Sequence, residues 1–453
     1  MSQTFTRLTH LMVILALAGA GVLVCAWLIP SEVRSVREYL AGFPDADATA
    51  HGLRPMVLAV LCFLPALGAF CYAFGGELDR YIARRFLSIF CICLGSLMMI
   101  WLLIDLSDKV GDLQGSKHML DSLVAVYSTR APAVLLLLLP YGLLLSLLYC
   151  LSQLSASREV IAMIQSGRGI VRITMPLVIA GIICTLFGIG LNFQWAPVAE
   201  GRQDEVMAAA KGEMAQEASR VLFNNAPKRR VWMIGAFPHD YQKGAPLKFV
   251  EITTSNEQNQ IETRLSADSA SWDPATRRWT FENASVATHR DGLPPDFEKS
   301  DGPLVIDSFE ETPMQLIKPG LSAEHLGIPD LNGWLKARAA GLNFADPAPY
   351  RTEWHYRWAM PFTCIVSVML AVPLAVNFSR RGPAGSIMLA VGFSAIMLLI
   401  STIVLAFGHA GDMPPILAAW LPNLAFFALG VYLFKQRIHG RPLFKRSRKT
   451  QSA

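Results

Sequence analysis

Eight long stretches of the sequence contain no Asp, Glu, Lys or Arg, and they decide what the chain can fold into. A helix needs about 20 apolar residues to cross the hydrocarbon core of a bilayer, where every backbone polar group must be paired within the protein. Each stretch is long enough, so the sequence predicts eight transmembrane helices. The stretches are Leu11–Pro30, Met56–Phe74, Phe86–Ile104, Ala131–Leu151, Met175–Phe193, Ala359–Asn377, Gly385–Phe407 and Ile416–Phe434.

Lys and Arg residues predict that both ends of the chain lie in the cytoplasm, because basic residues accumulate on that side. Sixteen of them fall in the N-terminal segment, the loops 75–85, 152–174 and 378–384, and the tail after the last stretch. Only six fall in the loops 31–55, 105–130 and 408–415. The long segment between spans five and six is therefore outside. The net charge of +5 belongs to these membrane flanks and does not indicate a nucleic-acid partner.

The first stretch has two interpretations, a retained helix or a cleaved signal peptide. Its apolar run is long for a signal peptide and ends without a clean small-x-small site, which favours a retained helix. Cleavage would leave the rest of the topology unchanged.

The outside segment, residues 194–357, has the composition of a soluble domain. It opens with a helical pattern over 197–223, and five later pieces rich in Val, Ile, Phe and Trp are typical of strands. Asp273-Pro274-Ala275-Thr276 predicts the turn of a hairpin. Short strands at even spacing favour a sandwich or jelly roll. All eight cysteines lie in the apolar stretches, so no disulfide framework is expected outside. The strand pieces are RVWMIGAF, LKFVEITTS, IETRLSADSASW, RRWTFENASVATHR and PLVIDSF.

Catalytic and cofactor motifs are missing from the sequence. It contains no G-x-x-x-x-G-K-[ST] loop, no G-x-S-x-G elbow and no His paired at metal-ligand spacing. We therefore expect no catalytic residue, metal or cofactor in this chain. The stretches also lack the ionisable groups that ion-coupled transporters usually keep near the membrane midplane, which counts against secondary transport.

The short polar segment 152–173 lies between two charge-free stretches, on the cytoplasmic side. Ser155 is predicted as the N-cap of a helix, Glu159 lies near its first turn, and Gly167 is predicted to stop it in a left-handed conformation. A helix this short needs a surface to pack on. It is either a loop helix on the membrane surface or a coupling helix that docks on a cytoplasmic motor, and periodicity alone does not decide. Its apolar face comprises Ala156, Val160, Met163 and Ile164.

Several separated pieces resemble the lipopolysaccharide-export permeases of the LptF/LptG type, and LptG more than LptF. The resemblance runs from about Leu78 to Phe434, and it rests on the order and spacing of the pieces. They are LDRYIARRF, SQLSASREVIAMIQSGRGIVRI, WAPVAE, WDPATRRWTF, YRTEWHYRWAMPFTCIVSVMLAVPLAV and MPPILAAWLPNLAFF.

The resemblance implies a helical membrane protein of the bacterial inner membrane with an inserted periplasmic β-jelly-roll domain. In that family two permeases form a heterodimer above a dimeric LptB-type ATPase, which binds the ATP. Lipopolysaccharide passes between the permeases and on to LptC-like and LptA-like bridge proteins. The segment 152–173 is then the coupling segment. The resemblance makes Val160, Met163 and Ile164 its anchors, Glu159 a polar contact and Gly167 its stop.

Two departures from the family pattern affect the expected role. The two spans before Leu78 are extra, and we expect a lipid-facing or partner-binding hairpin. Similar permeases carry a lysine near the outer end of their first span, where this chain has Asp105, with Lys109 one turn later. The expected basic pair after the WAP piece is matched in part by Arg202 and Lys211. These four residues are the candidate lipid-binding residues, and they favour a variant or less anionic glycolipid as cargo.

The sequence thus predicts five parts: an extra membrane segment (1–77), the first half of a permease (78–193), the periplasmic domain (194–357), the second half (358–435) and a basic cytoplasmic tail (436–453). The preferred function is the permease subunit of an ATP-driven lipopolysaccharide exporter. A membrane-anchored periplasmic scaffold or sensor, and a secondary transporter, are the alternatives.

Overall fold

A computed structural model gives the structure of the chain over most of its length. It describes residues 2–42, 47–113, 119–199, 201, 216–238, 241, 244–258, 260–273, 276–290, 294–300, 302–317, 320–339, 346–375 and 384–438.

Helices make up the two ends of the chain, and an antiparallel sheet lies between them. In chain order the helices are α1 (Ser2–Gly42), α2 (Ala48–Gly52), α3 (Arg54–Phe74), α4 (Glu77–Leu113), α5 (Met119–Ala156), α6 (Glu159–Gln165), α7 (Ile170–Phe193), α8 (Pro313–Ile317), α9 (Ile328–Ala339), α10 (Ala348–Ala359), α11 (Thr363–Ala375), α12 (Ala384–His409) and α13 (Pro415–Ile438).

Eight segments of the described chain are long and apolar enough to cross a membrane, which confirms the predicted number. The sixth runs over Ala348–Ala375 and combines α10, a short 3-10 turn and α11. It begins earlier than the predicted Ala359, because α10 continues the helix into a polar stretch. α1 likewise continues past Pro30 to Gly42. The spans are therefore longer than the charge-free stretches, since packing at the outer surface extends the helices.

α5 lies at the centre of the membrane domain. Helices α4, α7, α11 and α12 pack around it, and five leucines on its central turns have no exposed surface: Leu143, Leu144, Leu147, Leu148 and Leu151. A helix that is apolar all round is expected in such a buried position. The flanking helices are consequently held in place by this one central helix.

The inserted domain consists of one branched antiparallel sheet. Its described strands are β1 (Gln216–Asn225), β2 (Arg230–Pro238), β3 (Leu247–Ser255), β4 (Ile261–Asp273), β5 (Arg278–Glu282), β6 (Ser285–Thr288), β7 (Asp296–Lys299) and β8 (Leu304–Ile306). The order is β1-β2-β3-β4-β5-β8, and β6 joins β4 to β7. The predicted inserted β domain is confirmed, and all of its strand pairs are antiparallel.

Aromatic side chains fill the core of this sheet. Trp232, Phe237, Trp279 and Phe281 have no exposed surface. The indole Nε1 of Trp279 donates to the carbonyl of Glu311 at 2.7 Å, so its polar atom is paired inside the core. The predicted hairpin is confirmed by the pairing of β4 with β5 from Asp273 and Arg278 onward. Its central residues, Pro274 and Ala275, lie outside the described part.

The helical pattern predicted over 197–223 is wrong at its end. β1 begins at Gln216 and pairs with β2, and residues 202–215 lie outside the described part. Val221 and Phe223 are buried in the sheet core. Burial of these two side chains against a neighbouring strand outweighs the helix propensity of the Ala- and Glu-rich sequence before them.

Candidate functional site

The polar segment between the fourth and fifth spans forms a shorter helix than predicted. α5 continues through Ser155 to Ala156, and after a turn α6 occupies only Glu159–Gln165. The predicted N-cap at Ser155 is therefore wrong. Its hydroxyl instead lies 3.5 Å from the carbonyl oxygen of Ala375 on α11. Packing against α11 extends α5 beyond its apolar run.

Two left-handed residues bound α6. Arg158 precedes it at φ 60° and Gly167 follows it at φ 84°. The N–H of Gly167 donates to the carbonyl of Ile164, and the N–H of Arg168 donates to the carbonyl of Met163. This is the Schellman arrangement, in which glycine avoids the Cβ penalty. The predicted stop at Gly167 is confirmed.

Glu159 fastens α6 to the start of α4. Its carboxylate accepts hydrogen bonds from the Tyr81 hydroxyl at 2.8 Å and the Ser157 hydroxyl at 2.8 Å, and it pairs with the Arg85 guanidinium at 3.1 Å. Burial raises the pKa of the Glu159 carboxyl, but these donors outweigh burial and lower that pKa below its ordinary value. Glu159 is therefore ionised, and its carboxylate binds side chains of its own chain.

The apolar side of α6 faces the membrane domain. Val160 and Met163 belong to the large buried cluster around α5, and Ile164 packs against that cluster. Ala156, predicted on the same face, is exposed at the end of α5. The side chains expected to anchor a partner therefore pack against the chain's own bundle.

The opposite side of α6 is open to solvent. Arg158, Ala162, Gln165 and Arg168 are all exposed, and we call them the outer face of α6. Two arginines and two small or polar side chains give this face a positive charge. It is the part of the segment that a partner could contact.

A second ion pair joins α4 to α7 beside this segment. Asp79 lies on the first turn of α4 and pairs with Arg172 of α7 at 2.8 Å. The same Asp79 carboxylate accepts a hydrogen bond from the Gly76 N–H at 3.0 Å. α4 is thus tied near its N-terminal end to both α6 and α7, so displacement of the loop between them would move α4.

The candidate lipid-binding residue Asp105 is ion-paired within the chain. Its carboxylate lies 2.6 Å from the Arg130 guanidinium, which also lies over the ring of Trp101 at 4.9 Å. A cationic side chain is therefore present beside Asp105 on the third span, but it is Arg130 of α5 and not a lysine of α4. Lys109 falls within α4, with its side chain outside the described part, and Arg202 and Lys211 lie outside it altogether.

A buried polar cluster lies at the outer ends of spans five to seven. Glu353 pairs with Arg357 at 3.4 Å and with His409 at 3.1 Å. Arg357 also contacts the side-chain oxygen of Asn192 at 3.4 Å and donates to the backbone carbonyl of Glu324 in the inserted domain. The charge-free stretches predicted a sixth span without ionisable groups. The sixth span of the structure begins at Ala348 and so includes Glu353 and Arg357, which corrects that expectation. The cluster connects three spans to the base of the β domain.

Helices α4 and α12 each leave one long apolar side uncovered. Both pack on α5, and neither has a described neighbour that covers its outward side. The exposed side chains include Leu87, Ile92, Met99 and Leu103 on α4, and Met388, Val391, Leu399 and Ile403 on α12. These two sides face either lipid or another membrane subunit.

Sequence analysis missed the residues that hold the site together: Tyr81, Arg85, Arg130 and Arg357. Tyr81 and Arg85 are four residues apart at the start of a span, which places them on one helix face. Two hydrogen-bond donors on one face at the start of a span indicate that an acceptor, here Glu159, lies on a neighbouring loop. Arg130 and Arg357 each stand within two residues of a predicted span. Arg130 was counted as a flanking charge and Arg357 as the last residue of the outside segment.

Comparison with known proteins shows similarity to one family. The model of the family described as lipopolysaccharide export system permease LptF/LptG matches residues 80–436. The lipopolysaccharide export system permease protein LptF of Escherichia coli strain K12 is 22% identical over 371 residues, which cover 78% of the chain and 93% of that relative. LptF of Shigella flexneri matches with the same identity and coverage.

Proposed function

This chain belongs to the LptF/LptG family of lipopolysaccharide export system permeases, and from that premise we propose how it works as an inner-membrane permease subunit. A separate cytoplasmic ATPase of the LptB type binds beneath it and hydrolyses ATP. The permease takes lipopolysaccharide from the inner membrane and passes it outward. The observation that carries the proposal is α6, a short helix fixed to the bundle with an exposed polar outer face.

The outer face of α6 is the proposed ATPase contact. The three apolar side chains Val160, Met163 and Ile164 do not dock on the ATPase. They anchor α6 to the chain's own helix bundle. A surface fixed in this way transmits displacement, since packed elements move as units rather than deforming continuously.

Displacement of α6 is proposed to reach the membrane through two ion pairs. Glu159 connects α6 to Arg85 on α4, and Asp79 connects α4 to Arg172 on α7. α4 also presents one of the two uncovered apolar sides. Motion of α6 would therefore tilt α4, whose apolar side contacts the lipid.

A second LptF/LptG-type permease is the proposed cover of the uncovered sides of α4 and α12. Two subunits facing each other along these sides would enclose an apolar cavity suited to acyl chains. At the outer end of α4, the Asp105–Arg130 pair would meet the charged headgroup. Because Arg130 already neutralises Asp105, the pair offers little net charge, which supports a less anionic glycolipid as cargo.

The periplasmic sheet is the proposed exit. Its branched antiparallel strands lie between spans five and six in the chain, and LptC-like and LptA-like proteins would receive the lipid from it. The orientation that the charge distribution predicts, with both termini in the cytoplasm, puts this domain on the required side.

Native purification of the full chain followed by mass spectrometry of its partners tests the proposal. We expect an ATPase, a second permease and bound glycolipid. Ala162→Trp places a large side chain on the outer face of α6 and should lower ATPase recovery at least tenfold. Ala226→Trp, an equal substitution at an exposed turn of the β domain, is the matched control and should have no effect. Equal ATPase recovery from both variants would refute the contact.

A further inference from the structure

The first two spans form a hairpin outside the segment that matches the family, which begins at residue 80. α1 and α3 pack along each other, and α3 packs along α7. The helices approach closely at Gly190, where a Cβ would overlap the side chain of Leu61. The hairpin is thus built onto the fifth span through a close interface.

The outer end of the hairpin meets the base of the β domain at Asp330. The Asp330 carboxylate accepts hydrogen bonds from the Tyr39 hydroxyl of α1 at 2.6 Å and from the Gln194 amide at 2.9 Å. His51 of α2 is 1% exposed, and its Nε2 lies 3.5 Å from the same carboxylate. We call these four residues the Asp330 junction. It brings together the hairpin, the exit of span five and helix α9.

A second contact lies beside the junction. Lys336 on α9 pairs with Asp47, at the start of α2, at 2.8 Å. The hydrogen bond from Lys336 lowers the pKa of Asp47 to about 2. Within the hairpin, Arg54 and Glu32 pair at 2.6 Å and hold α1 to α3 at this level. Two separate points on α9 are therefore bound by a hairpin that is itself fastened at its outer end.

α1 also reaches the core of the β domain. Its polar continuation beyond Pro30 carries Tyr39 to the aromatic cluster that includes Trp232 and Tyr241. The ring of Tyr39 lies 4.4 Å from the ring of His51. One side chain thus links the membrane hairpin, the junction and the periplasmic core.

We infer that the N-terminal hairpin is a docking surface for the chain's own periplasmic domain, and that the Asp330 junction holds this domain in one orientation over the spans. Within the family segment, the exit of span five contacts the base of the β domain through Gln194, and spans six and seven contact it through Arg357 and His409. The hairpin supplies a further attachment. The domain can turn relative to the spans only if the buried junction opens.

Distance measurements on the full chain in lipid nanodiscs test this role. Spin labels on unnatural amino acids, which avoid the eight native cysteines, would replace the exposed Lys228 in the β domain and Asp412 in the loop between spans seven and eight. The unaltered junction should give one narrow distance distribution. Asp330→Asn should broaden it at least twofold, and Tyr39→Phe should broaden it less.

Tyr432→Phe removes a hydroxyl from an exposed tyrosine near the cytoplasmic end of α13 and should leave the distribution unchanged. If Asp330→Asn does not fold, Tyr39→Phe decides alone, because it keeps the ring and loses only the hydroxyl. Distributions as narrow as that of the unaltered chain in the junction variants that fold would overturn the inference.

Discussion

Reversing the charge of Glu159 should release α6 from α4. In Glu159→Arg the new guanidinium faces Arg85, and the carboxylate that accepted hydrogen bonds from Tyr81 and Ser157 is gone. The reverse change, Arg85→Glu, places two carboxylates together. Each single variant should loosen α6, whereas the double variant restores opposite charges at the same two positions.

The contacts of Glu159 set the size of this effect. The side chains of Arg85 and Glu159 are 25% and 31% exposed, so the ion pair itself contributes about 1 kcal/mol or less. A hydrogen bond to a charged group contributes about 1.5–3 kcal/mol. We expect local opening of α6 to become easier by about 2 kcal/mol in Glu159→Arg, which is roughly 30-fold in the opening equilibrium.

Amide hydrogen exchange over residues 159–165, measured on the full chain in nanodiscs, reports this opening directly. The double variant should recover at least half of the lost protection. The pair Glu77 and Arg80, on the first turn of α4, is the matched control, because its carboxylate is 89% exposed and water screens the pair. The same charge exchange there should change protection by less than about 0.5 kcal/mol. If the double variant exchanges as fast as Glu159→Arg alone, Glu159 does not act through Arg85.

Further predictions concern stability and pH. Gly167→Ala should destabilise α6 by about 1–2 kcal/mol, seen as faster amide exchange, because φ is positive although the space around Gly167 is open. Arg357→Leu leaves the buried Glu353 carboxylate without its arginine, with His409 as its remaining basic partner, and should lower the free energy of unfolding by about 3 kcal/mol, measured by denaturation in detergent. Asp47, with a pKa lowered to about 2, stabilises the fold fully above its ordinary value of 3.8 and loses this contribution as pH falls toward 2. Asp47→Asn should therefore flatten the dependence of thermal stability on pH in that window.

Each of these predictions has a control in the same region. Gly169→Ala changes a glycine that also has open space but no positive φ, so it should be neutral. Arg351→Leu removes an exposed arginine from α10 and should change stability little. Ser35→Ala, which changes an exposed and non-titratable side chain on α1, should leave the pH dependence between 4 and 2 intact. Equal effects in a variant and its control would contradict the stated cause.

The sequence was sufficient to predict the spans because a bilayer imposes a length and an absence of charge that can be counted. Their ends were not predictable in this way. α1 continues beyond Pro30, and α10 begins in a polar stretch, because Tyr39 and Arg357 find partners in the inserted domain between spans five and six. Those partners are distant in sequence, so no local pattern indicates them.

The segment 152–173 shows the same limit. Periodicity correctly grouped Val160, Met163 and Ile164 on one face, and the backbone requirement at Gly167 was visible as a glycine. Periodicity cannot say whether an apolar face is covered by its own bundle or by a partner. The structure places Val160 and Met163 in the core of the chain, which shifts the proposed ATPase contact to Arg158, Ala162, Gln165 and Arg168.

The most direct test of the central claim is where lipopolysaccharide accumulates when this protein is depleted in the bacterium that makes it. Inner and outer membranes would be separated and the glycolipid in each quantified over successive generations. The account predicts that newly made lipopolysaccharide builds up in the inner membrane while the amount in the outer membrane falls. Restoring the unaltered chain should reverse both changes, and Ala162→Trp should not. A normal distribution between the two membranes in depleted cells would contradict the assignment of this chain as an export permease.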